Sequence, residues 1–391
     1  MLTLGLLLVA IPVALGVYAY GLYPACLWLL ARARCKPASN PGISDWPYIT
    51  ISLPAYNEVS SIGATLESLL ALDYPAERRQ ILVISDASSD GTDDVVRRFA
   101  DRGVELVRLP QRTGKTGAEN AAVAHYRGEI IVNTDATIRI PPASLKPLIA
   151  VFADPTIGLS SGRDVSVGER QAEGNRGESG YVGYEMWVRA LETRVGSIVG
   201  ASGCLYAIRR QLLDARFPEG LSRDFGSALL TREGGLRAVS VDDAVCLVPR
   251  TRSLQTEFRR KVRTMARGLG TLFYKRHLLN PFRHGLFAWM LLSHKLVRWL
   301  VFPALPLAAV GVALLGLQVG HPLLGLLPTA ACLVTAALAF RLPADRHLPP
   351  VIALPGFLTL SSLAAILAWL RVLRGQQNPI WEPTRRPAVS A

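Results

Sequence analysis

The chain has 391 residues, 50% of them hydrophobic, with a mean hydropathy of +0.27 and a formal net charge of +13. This mixture excludes an ordinary soluble protein and fits one large soluble domain plus several membrane helices. The basic residues gather beside apolar segments, notably Arg32, Arg34 and Lys36 and the stretch Arg250 to Arg267, where they set topology and hold anionic headgroups, so nucleic acid is not an expected partner.

Leu2 to Leu30 is almost uninterrupted apolar sequence, longer than the roughly 20 helical residues that cross a hydrocarbon core. A cleaved signal peptide would want a basic start and a small-residue cleavage site, whereas this segment has an uncharged start and a basic end. Arg32, Arg34 and Lys36 place that end in the cytoplasm and the amino terminus outside. Residues 1–35 therefore read as a membrane helix, and residues 36–47, rich in Pro, Ser, Asn and Gly, as a linker.

Strands and helices alternate through residues 48–257. Strand Ile49 to Leu53 leads to an amphipathic stretch with Ile62, Leu66, Leu69 and Leu70 on one face. Strand Ile81 to Ser85 and helix Asp93 to Ala100 come next, then a short strand Glu105 to Leu109, a helix around Ala118 to Tyr126 and strand Ile130 to Asn133. Crossovers of this length imply an α/β fold with a mainly parallel, twisted sheet. Asp86 and Asp135 each end a run of β-branched residues. In an open α/β sheet that position faces the ligand cleft, and a carboxylate there suits a hard divalent cation holding a diphosphate. The chain reads as a membrane-tethered enzyme that uses a nucleotide-activated substrate.

Residues 258–296 are basic and amphipathic and are expected along the cytoplasmic interface. Three further spans are expected within 297–372, at about Val297 to Leu317, Leu323 to Phe340 and Val351 to Leu370, before a tail at 373–391. With that count Arg341 and Arg346 fall inside but Arg371, Arg374, Arg385 and Arg386 fall outside, so a re-entrant segment or a different number of spans is open. The five cysteines, Cys26, Cys35, Cys204, Cys246 and Cys332, show no C-x-x-C pairing. Neither a zinc site nor a disulfide framework is indicated, in keeping with a reducing cytoplasmic face.

Four segments carry the chemistry. Pro54-Ala55-Tyr56-Asn57-Glu58 follows the first strand, and Ser85-Asp86-Ala87-Ser88-Ser89-Asp90-Gly91-Thr92 follows the second. Each taken alone is a turn, with Asn57, Asp90 and Gly91 as turn residues and Thr92 as a helix cap. Lys115-Thr116-Gly117-Ala118-Glu119-Asn120-Ala121 and Thr134-Asp135-Ala136-Thr137 come later. In this order the four resemble the motifs of family 2 glycosyltransferases, which have the GT-A nucleotide-sugar-binding fold. The similarity runs from about Tyr48 to Tyr274, and the membrane-integrated branch with cellulose and hyaluronan synthases is the nearest in layout.

That resemblance implies that Ala55, Tyr56 and Glu58 line the nucleotide pocket, that Asp86 contacts base or ribose, and that Lys115 neutralises diphosphate. Asp135, with the donor-side residue Thr134 just before it, aligns with the first aspartate of the family's D-x-D, so Asp135 would hold the donor through Mg²⁺ or Mn²⁺. Thr137 stands at the second acidic position, with water or the donor filling the missing ligand. The segment from Gly200 to Arg210 resembles the one beside the acceptor sugar, which gives Ser202, Gly203 and Cys204 as acceptor contacts; a glycine-containing turn before a strand is the plainer reading.

Asp224 matches the catalytic base, with Arg223 in place of the acid that precedes it in the family. The adjacent cation would keep Asp224 ionised at some cost in basicity. Asp242 and Asp243 are a fallback pair, or simply a surface turn. Arg263 matches the arginine of Q-x-x-R-W and would contact diphosphate, while Arg260 and Thr264 stand for its Gln and Trp on the acceptor side.

The implied reaction is inverting transfer of a sugar from a nucleoside diphosphate sugar, with UDP-sugar the first expectation, to a lipid-linked or glycan acceptor at the cytoplasmic face of a bacterial membrane. The alternatives are a processive polysaccharide synthase, which the missing tryptophan disfavours, and a silent nucleotide-sugar-binding membrane protein, which the presence of both Asp135 and Asp224 disfavours.

Overall fold

The computed structural model describes residues 1–33, 45–167, 176–213, 216–249, 254–341, 350–376 and 380. The expected linker up to residue 44, Arg250, Arg346 and most of the tail lie outside them. The described residues form two compact units, one of helices drawn mainly from residues 1–32 and 254–376, the other built on a sheet from residues 45–167 and 182–249.

The sheet has seven strands: β1 Ile49–Ala55, β2 Arg79–Ser85, β3 Val104–Arg108, β4 Ile130–Thr134, β5 Ile157–Val167, β6 Leu205–Arg209 and β7 Arg237–Pro249. Their spatial order is β3-β2-β1-β4-β6-β5-β7, parallel throughout except that β6 runs against both β4 and β5. This is the GT-A architecture, an α/β fold with a mostly parallel sheet. Both faces are covered, and β2 shows it: Ile81 and Val83 pack into one core with Ile49, Ile51 and Leu66, while Leu82 and Ile84 pack into another with Ile131 and Tyr206. A strand buried on both faces reads as an unbroken apolar run rather than an alternating one.

The helix Ile62–Leu70 buries Ile62, Leu66 and Leu69, the face its periodicity marks out. One helix differs from expectation in its start. It begins at Gly114 rather than Ala118, because a carboxylate distant in sequence, Asp86, satisfies its first amides. Asp242 and Asp243 lie exposed in β7, in a bulge where the pairing jumps from Ser161 with Ser240 to Arg163 with Val245.

β1 has β2 on one side and β4 on the other. The chain therefore leaves β1 outward to β2 and β3 and returns across it as β4, which opens a crevice at the carboxyl ends of β1 and β4.

In the helical unit, Leu2–Ala33, Pro281–Gln318 and Pro355–Leu373 are long and apolar enough to cross a membrane. The expected span Leu323 to Phe340 lies on the helix Pro322–Arg341. The helix beginning at Pro281 runs on past Val297 with a kink at Gly285, so no break separates the interface stretch from the span that follows. Gly5 and Gly311 let the first and second of these helices approach until a Cβ on Gly311 would sit 2.8 Å from the Gly5 carbonyl. Tyr18 ties them further, with its hydroxyl 2.7 Å from Ser293 Oγ and accepting from Trp289 Nε1 at 3.0 Å.

Candidate active site

The loops after β1 and β2 are laced together. Asn57 Oδ1 accepts from Ser89 N at 2.8 Å, Thr92 Oγ1 from Glu58 N at 2.8 Å, and Asp90 Oδ2 from Val59 N at 3.1 Å. Asn57 and Ala87 hold φ of 53° and 57°, left-handed conformations uncommon for residues other than glycine, and the Ser89 amide helps to fix Asn57 there. Tyr56 lies under the Arg112 guanidinium, 3.7 Å from the ring centroid. Glu58 accepts from Ser61 Oγ at 2.5 Å.

Asp86 is 2% exposed, and its amide donates to the Ala55 carbonyl at 2.9 Å. Its carboxylate accepts from Thr113 N at 2.7 Å, Thr113 Oγ1 at 3.0 Å and Gly114 N at 2.8 Å. The role this geometry gives Asp86 is to cap the helix Gly114–Ala122 and so to aim Lys115. Replacement by alanine strands two amides, that of Gly114 buried and that of Thr113 half-buried, and removes three charge-assisted bonds, so Asp86→Ala is expected to destabilise the sheet unit by about 3 kcal/mol. An unchanged thermal midpoint in detergent would contradict this.

Lys115 Nζ lies 2.5 Å from Asp135 Oδ1, just beyond β4, and donates to the Gly203 carbonyl at 3.2 Å. Burial would lower the Lys115 pKa, but the carboxylates Asp135, Glu119 and Asp224 outweigh it and hold the ammonium well above the ordinary lysine range. Gly203 lies against Asp224: a Cβ built on it would sit 3.0 Å from Asp224 Oδ2. Any side chain there would push the carboxylate aside. Asp224 stands in the first turn of the helix Arg223–Glu233, its Oδ1 accepting from Ser222 Oγ at 2.5 Å.

A continuous run of contacts therefore joins Ala55, Asp86, Gly114, Lys115, Asp135, Gly203 and Asp224. Thr134 Oγ1 donates to the Cys204 carbonyl at 2.9 Å, and Ser202 Oγ accepts from Cys204 N at 3.0 Å, which fixes the turn that presents Gly203. Arg260, Arg263 and Thr264 belong to the helix Leu254–Tyr274 of the helical unit. Arg260 there forms a two-pronged pair with Glu257, at 2.8 and 2.6 Å.

Three residues of this region have no role in the sequence reading. Asp164 accepts from Ser202 Oγ at 2.5 Å and from the Cys246 thiol at 3.2 Å, and no sequence signal points to it. Burial, with Asp164 beside it, pushes the Cys246 thiol far above the ordinary range and keeps it protonated. Glu119 and Asn120 lie within a motif but carry no assignment, although Glu119 stands one helical turn from Lys115.

Among the described residues there is no group of three side chains that could hold a metal ion. Asp135, a hard oxygen donor with a third of its side chain exposed at the mouth of the crevice, fits a cation held mostly by the diphosphate of a donor and by water rather than by a protein cage.

Residues 50–217 match the family model described as Glycosyl transferase family 2. A Beta-monoglucosyldiacylglycerol synthase of Synechocystis sp. is 26% identical over 174 residues, 44% of this chain and 36% of the relative. An N-acetylglucosaminyltransferase of Bradyrhizobium diazoefficiens is 25% identical over 283 residues, 66% of this chain and 57% of the relative. The chain thus spans only part of the length of the curated relatives it matches. A solved mannosyltransferase, PcManGT from Pyrobaculum calidifontis in complex with GDP-Man and Mn²⁺, superposes with a TM-score of 0.69 at 26% identity, covering 95% of this chain and all of that one.

Proposed function

We propose that this chain, whose sheet unit carries a family 2 glycosyltransferase domain, moves one sugar from a nucleoside diphosphate sugar to a hydroxyl of a lipid or lipid-linked glycan at a membrane surface, with inversion. The observation that carries this reading is the line Asp135, Lys115, Gly203, Asp224: a cation and its carboxylate at the strand end, and a second carboxylate across a side-chain-free residue.

Asp224 takes the acceptor proton as that oxygen forms its bond to the anomeric carbon. The bond to the diphosphate breaks on the opposite face, and the nucleoside diphosphate departs. Lys115 neutralises charge that grows on the leaving oxygens. Asp135 would hold Mg²⁺ or Mn²⁺, which supplies Lewis-acid stabilisation of the diphosphate when bound. The laced loops at Tyr56, Glu58 and Asp86 form the platform for base and ribose.

GDP-mannose stands beside UDP-sugars as a candidate donor, since the neighbour that covers the whole fold holds it. Single transfer is favoured over processive synthesis because Thr264 offers no stacking ring to a growing glycan.

The test is nucleoside diphosphate release by the full chain in native-like membranes, screened over GDP-mannose, UDP-glucose and UDP-N-acetylglucosamine with Mn²⁺ or Mg²⁺ and membrane lipid extract. Release with labelled sugar in the lipid fraction is expected for one donor. Donor binding without release under all these conditions would favour the silent binding module instead.

A further inference from the structure

Glu119 lies four residues after Lys115 on the helix Gly114–Ala122, hence on the same helical face. It is 1% exposed, and neither carboxylate oxygen accepts a hydrogen bond from a described residue. A carboxylate buried in this way has lost its hydration and depends on a nearby cation for compensation. Its ion-pair partner is Arg223, itself 6% exposed, with Nε 4.0 Å from Glu119 Oε2.

The Arg223 guanidinium also donates to Asn120 Oδ1, on the residue next to Glu119. Asn120 Nδ2 in turn donates to the Phe217 carbonyl at 2.7 Å, and Thr116 Oγ1 to the Leu221 carbonyl at 3.2 Å. The helix of Lys115 is thus fastened to the segment that leads into Asp224, and Glu119 with Arg223 is the charged contact in that seam. The Glu119 pKa is raised: burial outweighs the opposing pull of Lys115 and Arg223, and Asp135 and Asp224 add to the rise.

Buried ion pairs are poor sources of stability, because apolar replacements of both partners are often neutral or better. What this pair supplies is geometry. The planar guanidinium, held by Asn120 on one side and Glu119 on the other, sits one residue before Asp224 and fixes the first turn from which that carboxylate projects. The arginine that stands where the family carries an acid is therefore matched in charge from a different element.

We propose that Glu119 and Arg223 are a buried positioning pair that holds the Asp224 carboxylate against Gly203 and in register with Lys115, without either residue touching substrate. This inference rests on the transferase reading above.

The test compares the full chain in native-like membranes with Glu119→Gln, Arg223→Gln and the double variant, on whichever donor the unmodified chain turns over. Three quantities are followed: kcat, donor KM and the thermal midpoint. Each single variant is expected to lower kcat by roughly 10- to 100-fold, the scale of a misplaced reacting group, with donor KM held within about twofold. The double variant, which buries no lone charge, is expected to regain the thermal midpoint but to keep the low kcat.

A double variant with unmodified kcat overturns the proposal, as do single variants that lower the midpoint and leave kcat alone. Should the single variants fail to fold, the kcat of the double variant decides the matter by the same comparison. An unmodified chain that binds donor and releases no nucleoside diphosphate overturns the transferase reading and this inference together. Loss of the inference alone appears only as unaltered kcat in the variants.

Discussion

Asp224→Asn is expected to lower kcat by about 10²- to 10⁴-fold while donor affinity stays within about twofold, the range general-base removal produces. The substitution keeps shape and removes the proton-accepting oxygen. Asparagine retains a carbonyl that accepts from Ser222 Oγ, so the helix start and the contact with Gly203 survive. The loss corresponds to about 3–5 kcal/mol of barrier, which the proposed mechanism assigns to the chemical step, since there Asp224 would meet the acceptor hydroxyl rather than the nucleotide. Single-turnover transfer at saturating donor reads that step directly. A decrease smaller than tenfold would mean that another group takes the proton, and Asp164, bonded to Ser202 close by, would be the next to replace.

Asp135→Asn is expected to weaken donor binding and transfer together, by roughly 10²-fold or more in kcat/KM, as when a charge-stabilising group of an active site is removed. Two functions depend on this side chain. It is the oxygen donor that fits a divalent cation, and it is the partner that orients Lys115 at 2.5 Å. The variant leaves Lys115 without that carboxylate, free to lean toward Glu119 one turn along its own helix. Donor titrations with and without Mn²⁺ separate the two functions. The unmodified chain is expected to bind donor more tightly with the cation, and the variant to bind equally in both conditions. A variant that keeps the full response to Mn²⁺ would remove Asp135 from cation binding.

Strands β1, β2 and β4 are legible because their apolar, largely β-branched runs are buried on both faces, as in Ile81 to Ile84, and the short, half-buried β3 follows from its alternation. The later ones are not, for local reasons. β5 carries Gly, Ser, Arg and Asp within Ile157–Val167 and is only half buried, and β7 is interrupted by its bulge at Asp242 and Asp243. The early start of the Lys115 helix depends on a cap from Asp86, and tertiary bonding of that kind leaves no mark near Gly114 itself.

In the site, Lys115, Asp135, Gly203 and Asp224 stand out by chemistry and order, and the structure brings them into one line. Asp86 is legible as a functional carboxylate, yet the bonds it makes are to the chain's own amides. Glu119 is hidden for the opposite reason: a glutamate on a helix looks solvated, and only the packing of Arg223 against it shows that it is buried. The helical unit is legible in its apolar lengths, less so in the boundary between interface and span, because Gly285 kinks a helix that then runs on.

β6 gives the molecule an order of assembly. The loops after β1 and β2 belong to strands that pair only about 30 residues apart, whereas Thr134 of β4 meets Leu205 of β6 only after about 70 intervening residues have been gathered in, a closure whose entropy is lost before the pairing returns anything. The loops that would cradle a nucleotide are thus free to form while Gly203 and Asp224 are still unplaced. A chain stalled or clipped between β4 and β6 would keep the loops after β1 and β2 and lack Gly203 and Asp224. On the proposed reading, turnover would then report that the sheet has closed.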